Sequence, residues 1–251
     1  MREQLDNSTV QQRPVLAVFD FDGTLTRHDS FVPFLKFAFG TRNFNRRLLR
    51  LALPSLRFVV RRMNRDELKA QLIRTFLTGV KLEWLQQQAA SYCAQVWPRL
   101  MRPSGLLAIE AEISSGAVVT LCSASPALVL QPFAERLGVK LIGTELEVVD
   151  GVLTGHITGA NCRCADKVMR LEAVYGGLQQ FRIKAWGDTR GDHELLAAAE
   201  EPHWRHFHPA WRRGRLRITN GRNPGVRAAQ ADPHAAPTSE RHMNTDDQQG
   251  A

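Results

Sequence analysis

The stretch Val15-Leu16-Ala17-Val18-Phe19-Asp20-Phe21-Asp22-Gly23-Thr24 constrains this chain more than any other. An uninterrupted apolar run that ends in a carboxylate predicts a parallel strand buried on both faces, delivering its last side chain to a cleft. Alternation along a strand puts Asp20 and Asp22 on one side if the extended path continues. Gly23 permits a sharp turn there, and Thr24 adds a hydroxyl and an amide. Two carboxylates so close are costly unless a cation or a shared proton relieves them. The pair therefore suits a metal-assisted nucleophile with a neighbouring acid/base. Taken alone, the pentapeptide also suits a solvated Asp-Gly turn.

Downstream, residues 29–103 read as helical throughout. Asp29 or Ser30 caps a first helix over Phe31 to Phe37, with Pro33 tolerated in its first turn and Gly40 as its stop. A second is expected from Phe44 to Met63, kinked or split at Pro54. Two more follow, over Glu67 to Leu77 and Glu83 to Val96. In the Phe44 to Met63 segment Arg46, Arg47, Arg50, Arg57, Arg61 and Arg62 are interleaved with leucines, valines and Phe58. That pattern admits two readings, a helix packing its apolar stripe on neighbours or an amphipathic segment lying on an anionic bilayer. The arginines interrupt it too often for a spanning helix. Trp84 and Trp97 read as core residues.

From Pro103 helices and strands alternate. A helix is predicted over Ser104 to Ser115, then a strand over Ala117 to Cys122 that leads into Ser123-Ala124-Ser125-Pro126. Ala127 to Leu137 is a helix ended by Gly138. Leu141 to Val149 and Val152 to Ile157 read as a hairpin about Asp150-Gly151. A helix over Asp166 to Tyr175 follows, then a core strand over Phe181 to Trp186 that runs into Gly187-Asp188. The pattern closes with a helix over Gly191 to Glu200 and a short strand over Leu216 to Thr219. Beyond it apolar periodicity ends, and residues 221–251 read as a disordered tail.

This alternation predicts an α/β fold, a Rossmann-like doubly wound parallel sheet with right-handed crossovers. The expected division is a flexible N-terminus over 1–13, a core over 14–28 and 104–219, a helical cap over 29–103, and a tail over 220–251. Ligands of such sheets sit beyond the carboxyl ends of the strands. Asp20, Asp22, Ser123, Lys167, Asp188 and Asp192 all fall at a strand end or a helix start. Phosphoryl transfer needs a nucleophile, a divalent cation, donors for the equatorial oxygens and an acid for the leaving alkoxide. Asp20 can attack phosphorus, Asp22 can protonate the leaving group, Ser123 and Lys167 can hold phosphoryl oxygens, and Asp188 can bind magnesium.

At these residues the sequence resembles the haloacid dehalogenase-like hydrolase superfamily. The motifs that carry the resemblance are Asp20-Phe21-Asp22-Gly23-Thr24, the strand ending in Ser123, Lys167 opening a helix, and Gly187-Asp188-Thr189-Arg190-Gly191-Asp192. The resemblance implies an aspartyl-phosphate on Asp20, general acid/base work by Asp22, and phosphate binding by Gly23, Thr24, Ser123, Ala124 and Lys167. It implies magnesium held by Asp20, the Asp22 main-chain carbonyl and Asp188, with Asp192 in the outer shell. The insert looks like the mobile C1-type cap of the phosphoserine-phosphatase-like subgroup, and it is also similar to that of the phosphatidylglycerophosphatase C group. Thr189 and Gly191 depart from the usual fourth motif, yet both acids remain, so magnesium binding is expected to survive. The implied activity is a phosphomonoesterase acting on a small phosphorylated metabolite. Alternatives are a phosphatase working on a phospholipid headgroup at a membrane surface, and a binding protein for phospho-ligands or anionic surfaces without turnover.

The net charge of +8 favours an anionic substrate or surface without choosing between them. The basic stretch lacks a nucleic-acid-binding motif, so no nucleic-acid partner is expected. No leader-like segment precedes the first strand, which with four cysteines predicts free thiols in the cytoplasm, at most peripheral to the inner face of the membrane. Cys162-Arg163-Cys164 lacks zinc-knuckle spacing. His203, His206 and His208, with Trp204 and Phe207 among them, read as part of a strand or surface turn.

Overall fold

The computed structural model describes residues 13–55 and 65–209, with the main chain alone for 50–55 and 65. In chain order the elements are β1 (Val15–Phe19), α1 (Phe31–Ser55), α2 (Arg65–Leu77), α3 (Leu82–Leu100), α4 (Pro103–Ser114), β2 (Val118–Pro126), α5 (Ala127–Leu137) and β3 (Lys140–Thr144). There follow β4 (Leu146–Val149), β5 (Val152–Ile157), α6 (Ala165–Tyr175), β6 (Arg182–Gly187), α7 (His193–Ala198) and β7 (Glu201–Trp204).

Five strands form one parallel sheet in the order β3-β2-β1-β6-β7, with β1 at its centre. The apolar run of β1 is explained by burial on both faces. Ala17 and Phe19 join a core with Val119, Leu121 and the α5 residues Val129, Leu130 and Phe133, whereas Leu16 and Val18 pack with Ile183, Leu171, Leu195 and Leu196 on the other side. Alternate residues thus serve opposite layers, and the doubly wound α/β sheet predicted from the sequence is the fold observed. Across the strand ends, Phe19 stacks on Trp186 at 4.0 Å and Trp186 on His203 at 4.4 Å. These residues are register partners on β1, β6 and β7, so one aromatic stack ties three strands directly beneath the cleft.

Two differences from the sequence reading concern the hairpin and the helical insert. Residues from Lys140 to Thr144 pair parallel with β2 at the sheet edge, and only β4 and β5 make the hairpin. The alternating pattern of 141–149 concealed this break because one period serves both strands. Its turn is as expected, with Asp150 at φ 49 and Gly151 at φ 75. In the insert, α1 spans what was read as two helices, with a break at Gly40, whose φ is 71. The remainder of the Phe44 to Met63 segment, residues 56–64 with Arg57, Arg61 and Arg62, lies outside the described residues. So do 1–12, the Leu216 to Thr219 strand and the tail.

Two isolated antiparallel bridges tie down the insert, one at its base and one on the hairpin. Arg27 N donates to Leu100 O at 2.9 Å and Arg102 N to Leu25 O at 2.8 Å. A second junction holds the turn between α2 and α3 against the hairpin, where Gly79 N donates to Leu153 O and Leu153 N to Val80 O, each at 2.8 Å. No described helix is long and apolar enough to cross a membrane.

Candidate active site

The carboxyl end of β1 does not continue extended. Residues Phe21 to Leu25 form a single wide turn closed by Thr26 N donating to Phe21 O at 3.1 Å, and Gly23 takes φ 85 within it. The turn sends the two aspartates to different partners, so the simple alternation argument for one shared side is replaced by a division of environments.

Asp20, directly after the central strand β1, is only 6% exposed. Lys167 Nζ, at the start of α6, donates to Asp20 Oδ1 at 2.7 Å and to Asp192 Oδ1 at 2.6 Å. The Thr24 hydroxyl lies 3.3 Å from Asp20 Oδ2 and 3.1 Å from Asp188 Oδ1, between the two carboxylates. Asp192 has its second oxygen occupied as well, because Oδ2 accepts from Asp188 N, Thr189 N and the Thr189 hydroxyl. Thr189 is thereby the helix cap of the following turn, which accounts for a threonine at that position.

Asp22 turns the other way. Its Oδ1 accepts from Ser30 N at 2.7 Å and its Oδ2 from the Ser125 hydroxyl at 2.5 Å. Ser123, fully buried, accepts from Ser125 N at 3.2 Å, so the Ser123-Ala124-Ser125 turn is braced by its own hydroxyl.

The electrostatics separate these groups. Burial raises the Asp22 carboxyl to about 6, with the Asp29 charge adding and the bonds from Ser125 and Ser30 opposing. Burial raises Asp188 to about 6 as well, with the Asp192 charge next in effect. Asp20 is pushed up by burial and by Asp192, against the pull of Lys167. Burial acts against the charge on Lys167, but Asp192 and Asp20 outweigh it and hold the ammonium firmly protonated. Asp192, despite burial, is held below the usual carboxylate range by Lys167 and the Thr189 donors.

Asp20, Asp188 and Asp192 each offer an oxygen within 4.8 Å of the others. Three carboxylates face one lysine there, and the pKa of Asp188 is raised by burial first and by the Asp192 charge next. Hard oxygen donors with a surplus of negative charge fit a divalent cation such as magnesium.

Gly23 is indispensable to this arrangement, since a Cβ at its φ of 85 would sit 2.6 Å from Asp188 Oδ2. Gly23→Ala is therefore expected to displace the Asp188 carboxylate and to cost about 1 kcal/mol or more through backbone strain. Urea unfolding and magnesium titration check both parts. An alanine variant with an unchanged midpoint and unchanged magnesium affinity would contradict this packing.

Four participants escape a reading of the sequence alone. Ser125 bonds Asp22, and the Ser30 amide does so from the start of α1. His208 Nε2 lies 2.9 Å from Gly23 O and 3.5 Å from Asp188 Oδ2. Its two neighbours in sequence serve elsewhere, His203 in the aromatic stack and His206 edge-on to it at 5.2 Å. The fourth is Lys69 on α2, whose Nζ donates to Asn161 Oδ1 at 3.0 Å. The cysteines are free thiols, with Cys122 and Cys162 buried side by side at 3.8 Å and Cys164 apart from them.

Residues 17–197 match the family described as haloacid dehalogenase-like hydrolase. Protein CicA of Caulobacter vibrioides is 41% identical over 197 residues, 77% of this chain and 87% of that protein. Among solved structures, a Bordetella pertussis Tohama I protein of unknown function has a TM-score of 0.61 at 21% identity, over 77% of this chain and 89% of that one. A probable phosphoserine phosphatase from Vibrio cholerae has a TM-score of 0.53 at 17% identity, over 74% of this chain and 54% of that one. These two structures share the fold.

Proposed function

The chain belongs to the haloacid dehalogenase-like hydrolase family, and on that premise we propose that it is a magnesium-dependent phosphomonoesterase working through an aspartyl-phosphate on Asp20. The observation that carries this reading is the separation of the two aspartates, Asp20 bound to Lys167 at 2.7 Å and Asp22 bound to Ser125 and Ser30. Asp20 has a buried ammonium as its partner, whose charge opposes the upward push of burial and Asp192, and Asp22 is kept protonatable by burial with only neutral donors on it. A nucleophile and a general acid need those two conditions.

A carboxylate oxygen of Asp20 forms the new bond to phosphorus while the bond from phosphorus to the ester oxygen breaks. The proton of the Asp22 carboxyl passes to that ester oxygen, and the alcohol leaves. Asp22, now ionised, takes a proton from water, whose oxygen attacks the phosphorylated Asp20; the bond between phosphorus and Asp20 breaks and inorganic phosphate departs. Lys167 and the donors of the Ser123-Ala124 turn are suited to the equatorial oxygens, with the Gly23-Thr24 amides opposite. Magnesium would be held by Asp20, Asp188 and the main-chain carbonyl of Asp22, and when bound it offsets the charge on the phosphoryl group. The proposed substrate is a small phosphorylated metabolite, the class handled by proteins of the phosphoserine-phosphatase-like subgroup.

Phosphate release from p-nitrophenyl phosphate tests this directly. Turnover is expected to vanish in EDTA and to return when magnesium is restored in excess. Turnover that persists after full chelation would overturn the metal dependence, and no turnover with magnesium present would overturn the phosphatase reading.

A further inference from the structure

The leaving-group side of the cleft carries a cation that the proposed chemistry does not use. Lys69 lies on α2, in the helical insert, and among the described residues its one hydrogen bond runs to Asn161 Oδ1 at 3.0 Å. That amide oxygen also lies 2.7 Å from the Thr144 hydroxyl, which is 2.6 Å from Ala124 O. The ammonium is thus linked through two side chains to the turn that carries Ser123 and Ser125.

The carboxylates whose charges act on Lys69 all have other partners. Asp66 Oδ1 accepts from Asn161 Nδ2 at 2.5 Å and Asp66 Oδ2 from Arg163 Nη1 at 3.2 Å. Asp22 has its oxygens on Ser30 and Ser125, and Asp29 Oδ1 accepts from Val32 N at 3.1 Å. No carboxylate makes a direct ion pair with Lys69 among the described residues. A half-buried ammonium with one neutral partner keeps two N–H groups for a further acceptor. Burial lowers its pKa to about 8, and the charges that act on it most, after burial, are Asp22 and then Asp29, ahead of Asp66. Through Asn161 and Thr144 the ammonium is tied to the turn whose Ser125 hydroxyl bonds Asp22, which puts it on the Asp22 side of the site.

Resting on the phosphatase reading above, we infer that Lys69 is a specificity-determining residue that binds a second anionic group on the leaving-group portion of the substrate. A carboxylate or a phosphodiester a few bonds from the scissile phosphate has the required chemistry. Asn161 holds the ammonium in place, and a charge-assisted bond from Lys69 selects substrates that carry this second charge. A neutral alcohol of the same size would leave the ammonium half-buried without its acceptor.

Matched substrates test the assignment. Phosphoglycolate and 2-hydroxyethyl phosphate differ by a carboxylate against a hydroxymethyl group, and glycerophosphoglycerol phosphate against glycerol 3-phosphate makes the same comparison with a phosphodiester. The kcat/KM ratio within at least one pair is expected to favour the anionic leaving group by roughly tenfold or more in the wild type. Lys69→Gln is expected to bring that ratio close to one, and Lys69→Arg to restore most of it. The pair that shows the preference identifies the anion. Wild-type ratios near one in both pairs, or a ratio that Lys69→Gln leaves intact, would overturn the inference while p-nitrophenyl phosphate turnover upholds the phosphatase. Failure of the wild type on every phosphomonoester would overturn both.

Discussion

Replacing Asp20 by Asn leaves a folded protein that releases phosphate about 10³-fold more slowly or worse, for every phosphomonoester tried. The argument begins with what asparagine preserves. Its side-chain oxygen can still accept from Lys167 Nζ, now 2.7 Å from Asp20 Oδ1, and its volume is that of aspartate. What it loses is the charge and nucleophilicity of a carboxylate, so an acyl-phosphate cannot form there. Stability moves the opposite way from activity. Burial and Asp192 raise the pKa of Asp20, so the folded state disfavours its ionised form, and that part of the stability is lost as pH rises above the ordinary carboxylate range. Metal-free Asp20→Asn is therefore expected to melt at the wild-type temperature or higher at pH 8. Rapid-quench phosphate release and thermal unfolding read the two effects separately. Wild-type rates in the variant would dispose of Asp20 as the nucleophile, and a collapsed melting temperature would show that Asp20 serves the fold instead.

That opposition explains why this end of the chain was so legible. A strand buried on both faces has one reason to end in carboxylates, and the cost of doing so must be offset by chemistry. The run from Val15 to Asp22 therefore announced the central strand and the cleft together, and Lys167 and Asp188 could be placed because each sits where an α/β sheet presents its ligands. Less legible was everything set by the turn after Asp20. The turn that begins at Phe21 breaks the extended path and leaves Asp22 on Ser125 and Ser30, a consequence of backbone geometry that alternation alone does not contain. His208 carries no periodic signal, and it reaches Gly23 O only because β7 adds to the sheet edge beside β6. Lys69 was hidden for a different reason. In the sequence it is one of 33 lysines and arginines, and only the packing of α2 on β5 sets it apart. The Leu141 to Val149 stretch shows the same limit in the fold, since an alternating pattern says strand but not which strand is its neighbour.

Lys167→Met tests the buried charge network where it is most sensitive. Lys167 and Asp192 are each 1% exposed and Asp20 is 6% exposed, so removing the ammonium strands two carboxylates in a low-dielectric site. Breaking a buried network in this way costs about 3–5 kcal/mol. Its pH dependence follows from the individual shifts. In the wild type Asp192 is held below its ordinary pKa, so its contribution is present above the unfolded carboxylate value and is lost as pH falls through the depressed one. Without Lys167 the forces left on Asp20 and Asp192 are burial and their mutual repulsion, both of which raise their pKa values. The variant then gains stability as pH falls and the carboxyls protonate, while the wild type loses its Asp192 contribution over a lower range. The stability gap between the two proteins should therefore be wide at pH 8 and narrow toward pH 5. Urea unfolding in EDTA at both values measures it, and chelation keeps magnesium from standing in for the missing cation. A gap that is absent, or the same at both values, would mean that Lys167 does not offset the charge of the two carboxylates, and Asp20 would then lack the counter-charge that opposes its burial.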